Sequence, residues 1–154
     1  MFYQTTSEKQ TFNLGKKFAK ELHGGEVILL SGDLGAGKTV FVKGLAAGLG
    51  VKKIITSPTF VLFKVYPIAK EQENPSIRGA GKRTREQVKY LVHADCYRLA
   101  KGGDILDAGL AEYCGRADTV VAVEWGERLG RLAGMKVIKV VLKLKKGGRE
   151  VEVR

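Results

Sequence analysis

Residues 32–39 read Gly-Asp-Leu-Gly-Ala-Gly-Lys-Thr and match the phosphate-binding pattern G-x-x-x-x-G-K-[ST]. Glycine adopts backbone conformations that a Cβ atom resists, so Gly32 and Gly37 allow successive N–H groups to turn inward as an anion-binding nest. We expect Lys38 to reach the terminal phosphates as a point charge and the Thr39 hydroxyl to ligate Mg²⁺. The expected nucleotide contacts are the whole loop and the residue after it: Gly32, Asp33, Leu34, Gly35, Ala36, Gly37, Lys38, Thr39 and Val40.

The residues on either side of this loop have the patterns of a strand and a helix. Residues 26–31 form an apolar run of strand length without period-two alternation, as expected of a buried parallel strand. Residues 40–49 predict a helix whose N-terminal amides face the phosphates. Strand, glycine loop and helix follow in the order that a P-loop requires, which argues against a chance match in a chain with 20 glycines.

Composition places the chain among ordinary globular proteins. Its 154 residues, 44% of them hydrophobic and 28% charged, predict one domain, residues 1–154, with a core of its own. No apolar run approaches the roughly 20 residues of a membrane span, and the first residues lack signal-peptide regions, so we expect a cytoplasmic protein without membrane contact. Cys96 and Cys114 are too few for a disulfide framework and lack metal spacing, which indicates buried thiols.

The charge balance favours an anionic partner. The chain carries 27 basic and 16 acidic residues, a net charge of +11. Nucleotide, tRNA and an acidic protein all satisfy this requirement, and charge does not choose among them. Residues 67–87 are polar and basic with almost no apolar side chains, so we expect a flexible basic loop, placed as an insertion at a hairpin tip.

The remaining patterns predict an α/β fold. A helix follows the N-cap Ser7, runs to about Leu22 and is stopped by Gly24 and Gly25. Further predicted elements are strands at 54–56, 61–66, 89–95 and 118–125, a short helix at 104–114, and a hairpin of strands at 136–145 and 149–154. We therefore expect a P-loop NTPase-like domain: a mainly parallel central sheet flanked by helices, with antiparallel additions including the C-terminal hairpin.

A P-loop needs a carboxylate opposite it to hold Mg²⁺ or to orient water, usually at the end of a neighbouring apolar strand. Glu124 follows the apolar residues 120–123, and Asp95 ends the run 91–94 in the same way. Either acid could instead cap a helix or form a surface ion pair, but the P-loop favours a functional role for both.

Several neighbouring residues are open to two interpretations. Thr59 could sense the γ-phosphate as a switch residue, or be an ordinary strand threonine. His93 is better explained as a structural hydrogen-bonding histidine than as a catalytic one. Trp125, beside Glu124, is interpreted as a ring that flanks the site, and Arg98 is either a phosphate contact or half of an ion pair. The chain has no Asn-Lys-x-Asp sequence, so ATP is preferred to GTP.

Four linked motifs resemble those of the bacterial TsaE family, also called YjeE. They are Gly-Asp-Leu-Gly-Ala-Gly-Lys-Thr, Ser57-Pro58-Thr59-Phe60, His93-x-Asp95-x-Tyr97-Arg98-Leu99 and Val123-Glu124-Trp125, and they occur in that family's order. Its members are the ATPase components of the tRNA threonylcarbamoyladenosine system. Two features depart from the family pattern: Val40 replaces a second Thr, and residues 67–87 are longer and more basic.

The resemblance implies roles for individual residues. The P-loop, with Lys38 as a catalytic residue, would hold ATP, and Thr39 and Glu124 would serve Mg²⁺. Asp95 would assist in-line attack by water, Thr59 would report the nucleotide state, and Thr11 would lie near the adenine.

The resemblance also implies partners. The family works with TsaB and TsaD, and TsaD transfers a threonylcarbamoyl group onto adenosine 37 of tRNA. ATP hydrolysis would reset that machine, and contact with tRNA would be indirect or weak. Two alternatives remain: a small-molecule P-loop kinase, which would need an acceptor pocket and a lid, and a basic RNA-binding module, although no aromatic RNA-binding signature interrupts the basic stretches.

Overall fold

The computed structural model describes residues 1–69, 88–99, 103–130 and 132–154. The strands in this part of the chain are β1 (Phe2–Thr5), β2 (Glu26–Ser31), β3 (Phe63–Pro67), β4 (Tyr90–Asp95), β5 (Thr119–Glu124), β6 (Lys136–Lys145) and β7 (Gly148–Val153). The α-helices are α1 (Glu8–Phe18), α2 (Lys38–Leu49) and α3 (Gly103–Asp107). Short 3₁₀ turns occur at Ala19–Glu21, Leu110–Glu112 and Gly126–Arg128.

The described strands form one seven-stranded sheet in the order β1-β7-β6-β2-β5-β4-β3. The central strands β6, β2, β5 and β4 run parallel to one another. Antiparallel pairs extend the sheet at both edges, with β3 beside β4 on one side and β7 and β1 beyond β6 on the other. This arrangement confirms the predicted α/β class, with a parallel core and a C-terminal hairpin.

Two apolar layers cover the sheet. On one face, α1 and α2 pack on alternate strand residues such as Ile28 and Leu30 of β2. On the other face, the intervening residues Val27 and Leu29 meet the segment that carries α3. The central residues of β2, 27–30, are all apolar because both faces of the strand are buried, as the absence of alternation predicted.

The two long helices lie unusually close together. A Cβ atom on Gly44 of α2 would lie 2.0 Å from the carbonyl oxygen of Phe12 in α1, so only glycine allows this approach. The contact holds α1 against the helix that begins at the P-loop.

The prediction of a strand at 54–56 was wrong. These residues have no strand structure, and the Ile54 side chain is 86% exposed, so its apolar character did not indicate burial. β3 begins at Phe63 rather than at residue 61, because Val61 and Leu62 form a turn in which Leu62 has a φ of 65°.

The prediction of one helix over 104–114 was also wrong. α3 ends at Asp107, Gly109 has a φ of 112°, and a separate 3₁₀ turn follows. Left-handed backbone at Gly109 cannot continue a right-handed helix. The first helix likewise ends at Phe18 and passes into a 3₁₀ turn before Leu22.

Other sequence-based expectations have mixed outcomes. Strand β1 was not predicted at all. The predicted flexible loop at 67–87 falls mostly on residues 70–87, which lie outside the described residues. The residues on either side of this loop belong to neighbouring antiparallel strands, because Pro67 pairs with Tyr90.

No helix in the described part of the chain is long and apolar enough to cross a membrane.

Both cysteines are buried free thiols, as predicted. Burial raises the pKa of the Cys96 thiol to about 11, and burial also raises the pKa of Cys114. At neutral pH both side chains therefore behave as small apolar groups.

The buried carboxylate Glu26 opens β2. Its oxygens accept hydrogen bonds from the backbone N–H groups of His23 at 3.1 Å and Gly24 at 2.8 Å, and from Lys136 Nζ at 2.7 Å. Burial alone would raise the pKa of Glu26, but the Lys136 ammonium and the N–H donors together hold that pKa below its ordinary value.

We expect Glu26→Ala to lower the free energy of unfolding at pH 7 by about 1–3 kcal/mol, because two partly buried backbone N–H groups lose their acceptor. Lys136→Ala should cost less than about 1 kcal/mol, because the lysine side chain is 62% exposed. Urea denaturation of both variants measures this difference.

The pH dependence of the Glu26 effect follows from its lowered pKa. The stabilisation is present above the unfolded-state pKa and is lost as pH falls through the lower folded-state pKa. The difference in free energy of unfolding between wild type and Glu26→Ala should therefore decrease in strongly acidic buffer. A difference that does not change with pH would contradict this explanation.

Candidate functional site

The glycine loop joins the carboxyl end of β2 to the start of α2, as the sequence predicted. Gly32, Gly35 and Gly37 all have positive φ values, at 135°, 78° and 101°. A Cβ atom on Gly32 would lie 2.1 Å from the carbonyl oxygen of Leu142 in β6, so the loop passes directly over the neighbouring strand. Both backbone conformation and lack of space therefore require glycine at position 32.

The loop presents a set of unpaired amides. The Ala36 N–H is bonded to the Asp33 carbonyl, and the helical ladder of α2 starts with the bond from Phe41 to Gly37. Within the described part of the chain, no protein acceptor meets the backbone N–H groups of Gly35, Gly37, Lys38, Thr39 and Val40. Free amides at the start of a helix, combined with its dipole, fit the phosphates of a nucleotide.

Lys38 is almost fully buried within the loop. Its Nζ donates hydrogen bonds to the carbonyls of Gly32 at 2.6 Å and Asp33 at 2.9 Å. The same ammonium lies 3.9 Å from the ring centroid of Trp125. Burial lowers the pKa of Lys38, and the charge of Glu124 opposes that change. The ammonium is thus held at the loop by carbonyl dipoles and a ring face, groups that can release it to a phosphate.

Glu124 ends β5 and meets the first turn of α2. Its Oε2 accepts a hydrogen bond of 2.9 Å from the Thr39 hydroxyl, and its Oε1 lies 2.8 Å from His93 Nε2. The parallel register places Glu124 beside Leu30, just before the loop. The two residues predicted to serve Mg²⁺ are therefore in direct contact.

Asp95 ends β4 in register with Glu124. Its Oδ2 accepts a hydrogen bond of 2.7 Å from the Thr59 hydroxyl, and Ser57 lies 2.6 Å from Thr59. The backbone N–H of Tyr97 donates to the other oxygen at 2.8 Å. Asp95 thus holds the Ser-Pro-Thr-Phe segment in place. The predicted switch residue, Thr59, is in direct contact with the predicted water-orienting acid, Asp95.

These groups face a common cleft of about 430 Å³, a size suited to a small ligand. The cleft is lined by Glu8, Leu34, Gly35, Gly37, Lys38, Thr39, Val40, Ser57, Thr59, Phe60, Asp95, Tyr97, Arg98, Glu124 and Trp125. A smaller groove of about 230 Å³ contains Lys43 and Lys53 and is separate from the two carboxylates.

The Thr11 side chain does not line the cleft. It is fully buried, and its hydroxyl lies 2.8 Å from that of Thr5 and donates to the carbonyl of Ser7 at 3.2 Å. Its methyl group lies near Gly37, where a Cβ atom would come within 3.5 Å of it. A contact between Thr11 and adenine stays a prediction, and the geometry gives this residue a packing role.

Sequence reasoning missed part of the cleft wall. Phe60 is 82% exposed, and the Arg98 guanidinium stacks 4.4 Å from its ring centroid. Tyr97 packs against Trp125 with ring centroids 5.1 Å apart. Glu8 reaches the cleft from the start of α1. No local pattern indicates such long-range contacts, although Phe60 and Tyr97 stand within motifs that the sequence does display.

Comparison with known proteins gives a consistent family. The model of "Threonylcarbamoyl adenosine biosynthesis protein TsaE" matches residues 5–151. A protein of that name from Treponema pallidum is 38% identical over 148 residues, which cover 96% of this chain and 95% of the relative. One from Streptomyces coelicolor is 42% identical over 114 residues, covering 74% of this chain and 66% of the relative.

The fold also resembles a solved structure. The crystal structure of Bacillus subtilis YdiB superposes with a TM-score of 0.67 at 30% sequence identity. The alignment covers 98% of this chain and 82% of that one.

The loop geometry predicts different costs for two alanine substitutions. Gly32→Ala should lower the free energy of unfolding by about 3 kcal/mol or more, because the added methyl meets a strand carbonyl. Gly35→Ala should lower the free energy of unfolding by only about 1–2 kcal/mol. Its methyl group would meet no neighbouring atom, so the cost comes only from the positive φ at this position. Urea denaturation of both variants measures the difference, and equal losses would contradict the clash at position 32.

Proposed function

The chain belongs to the TsaE family of tRNA threonylcarbamoyladenosine biosynthesis proteins, and we propose that it serves this pathway by binding ATP with Mg²⁺ and hydrolysing the ATP. The observation that carries the proposal is the contact between Thr39 and Glu124 beside a loop of unpaired amides. Cation-ligand oxygens and phosphate donors therefore lie at one cleft, as a metal–nucleotide complex requires.

The residues present fit Mg²⁺ bound together with a triphosphate. Mg²⁺ prefers oxygen ligands and is usually held by one or two carboxylates and substrate phosphates, with water completing the shell. Thr39 and Glu124 would hold the ion, which when bound neutralises charge on the phosphates. Among the described residues no group of three or more His, Cys, Asp or Glu side chains could hold a metal ion. In the proposed complex the phosphates and water supply the other ligands.

The chain's own residues then have distinct tasks. The Lys38 ammonium offsets phosphate charge, and two carbonyls already hold it at the loop. Asp95 orients water for in-line attack and accepts hydrogen bonds from the segment that carries Thr59. A terminal phosphate would compete for the Thr59 hydroxyl, so this segment would respond to the state of the nucleotide.

Hydrolysis should be slow in the isolated protein. No arginine is placed by motif as a transition-state finger, and Arg98, which lines the cleft, stacks on the Phe60 ring. An arginine that does stabilise the transition state is worth a rate factor of about 10³–10⁵. We propose that TsaB and TsaD, the partners implied by the family, accelerate the reaction and that hydrolysis resets their complex. Because the pathway acts on tRNA, the proposal places the protein in the cytoplasm, with tRNA contact made mainly through those partners.

The direct test measures nucleotide binding and phosphate release with and without TsaB and TsaD. Lys38→Ala should weaken ATP binding by about 10–100-fold, because a charge-assisted contact is lost. Glu124→Gln should retain most ATP binding but lower phosphate release by about 100-fold or more, because the charge at the metal position is removed. Calorimetry gives the first quantity, and a phosphate assay gives the second.

Lys43→Ala is the matched control. Lys43 is an exposed lysine on the same helix, outside the cleft, so its removal should leave both quantities within about twofold of wild type. The proposal fails if wild type binds no ATP in Mg²⁺ buffer. Transfer of phosphate to a small molecule without free phosphate would favour a kinase, and tRNA binding indifferent to ATP would favour an RNA-binding module.

A further inference from the structure

His93 lies behind the predicted metal position. It belongs to β4, two residues before Asp95, and its side chain is fully buried. Its Nε2 lies 2.8 Å from Glu124 Oε1, while the other oxygen of Glu124 accepts from Thr39. Each oxygen of this buried carboxylate therefore has one partner, and the two partners lie on different elements.

The hydrogen-bond pattern assigns the direction of the contact. A carboxylate only accepts, so Nε2 must carry the proton and donate to Glu124. The other ring nitrogen, Nδ1, is buried without a hydrogen-bond partner in the described part of the chain. Among the described residues, the one polar contact of this buried ring is therefore with Glu124.

A glutamate cannot fix its own carboxylate plane. The terminal torsion of Glu has a broad energy profile, so outside contacts must set the orientation of the two oxygens. The bond to Thr39 is the one that a metal ligated by both residues would disturb. The bond to His93 is on the opposite oxygen and can persist.

From this geometry we infer that His93 is a positioning residue, which holds Glu124 so that Oε2 faces Thr39 and the Mg²⁺ of a bound nucleotide. The inference rests on the proposed function, since it concerns the same cleft. Partners of this kind, behind a metal ligand, typically change metal affinity by about 10–100-fold when removed.

Two substitutions of His93 test the inference. Both introduce a side-chain amide, and the two side chains differ only in length. In His93→Gln the amide nitrogen can occupy the position of Nε2, whereas in His93→Asn it is one methylene too short. We expect Mg²⁺ affinity for the protein–ADP complex to stay within about threefold of wild type in His93→Gln and to fall about 10–100-fold in His93→Asn. Affinity for ADP without Mg²⁺ should stay within about twofold in both, and calorimetric titration measures each quantity.

The outcomes separate this inference from the proposed function. If wild-type protein binds neither ATP nor ADP with Mg²⁺, the proposed function fails. If wild type binds but His93→Asn has wild-type Mg²⁺ affinity, or loses Mg²⁺-free ADP affinity equally, the positioning role of His93 is overturned. Thermal unfolding of both variants identifies any loss of folding.

A measurement on the wild-type protein does not depend on the variants folding. Nitrogen-15 NMR of the histidine ring reports which nitrogen carries the proton. A proton on His93 Nε2, kept when Mg²⁺ is added to the ADP complex, supports the inference. A ring without a proton on Nε2 would overturn it, because such a ring cannot donate to Glu124.

Discussion

The register of the parallel ladder determines where the two acids of the cleft lie. β5 runs between β2 and β4, and its last residue, Glu124, stands level with Leu30 on one side and Asp95 on the other. Side chains alternate between the faces of a strand, so a slip of one residue would turn both acids away from the loop. The continuous apolar burial of β2 and β5 keeps the register in place, because any shift would move their side chains into the wrong layer. The packing of the core therefore also fixes the positions of the two acids in the cleft.

The parts of the fold that the sequence predicts well are those with a local cause. The glycine loop, the uniformly apolar strands and the alternating hairpin each follow from short-range sterics or burial. Ile54 shows the limit of that reasoning, because an apolar residue indicates a strand only when a neighbouring layer buries it, and none does. β1 was missed for the complementary reason, since residues 2–5 become a strand by pairing with β7 at the far end of the chain.

The candidate site was predictable to the same extent. Lys38, Thr39 and the strand-end acids follow from motif chemistry, and the parallel topology brings them together. His93 shows what remained beyond reach. Its position on one strand face with Asp95 suggested a structural hydrogen bond, but its partner, Glu124, lies 31 positions away and is defined only by the pairing of β4 with β5. For Thr11 the family resemblance predicts a contact with the adenine, and that contact stays a prediction; the structure shows that the Thr11 hydroxyl contacts Thr5 and Ser7.

The contact between Lys38 and Trp125 gives the molecule a spectroscopic property of its own. The chain has one tryptophan, and a lysine ammonium lies 3.9 Å from its ring centroid. Indole fluorescence depends on nearby charge. All of the indole fluorescence of this chain comes from Trp125, which lies beside the phosphate-binding loop. Any event that draws the ammonium away from the ring can therefore be followed optically in unlabelled protein, in real time and without altering a residue.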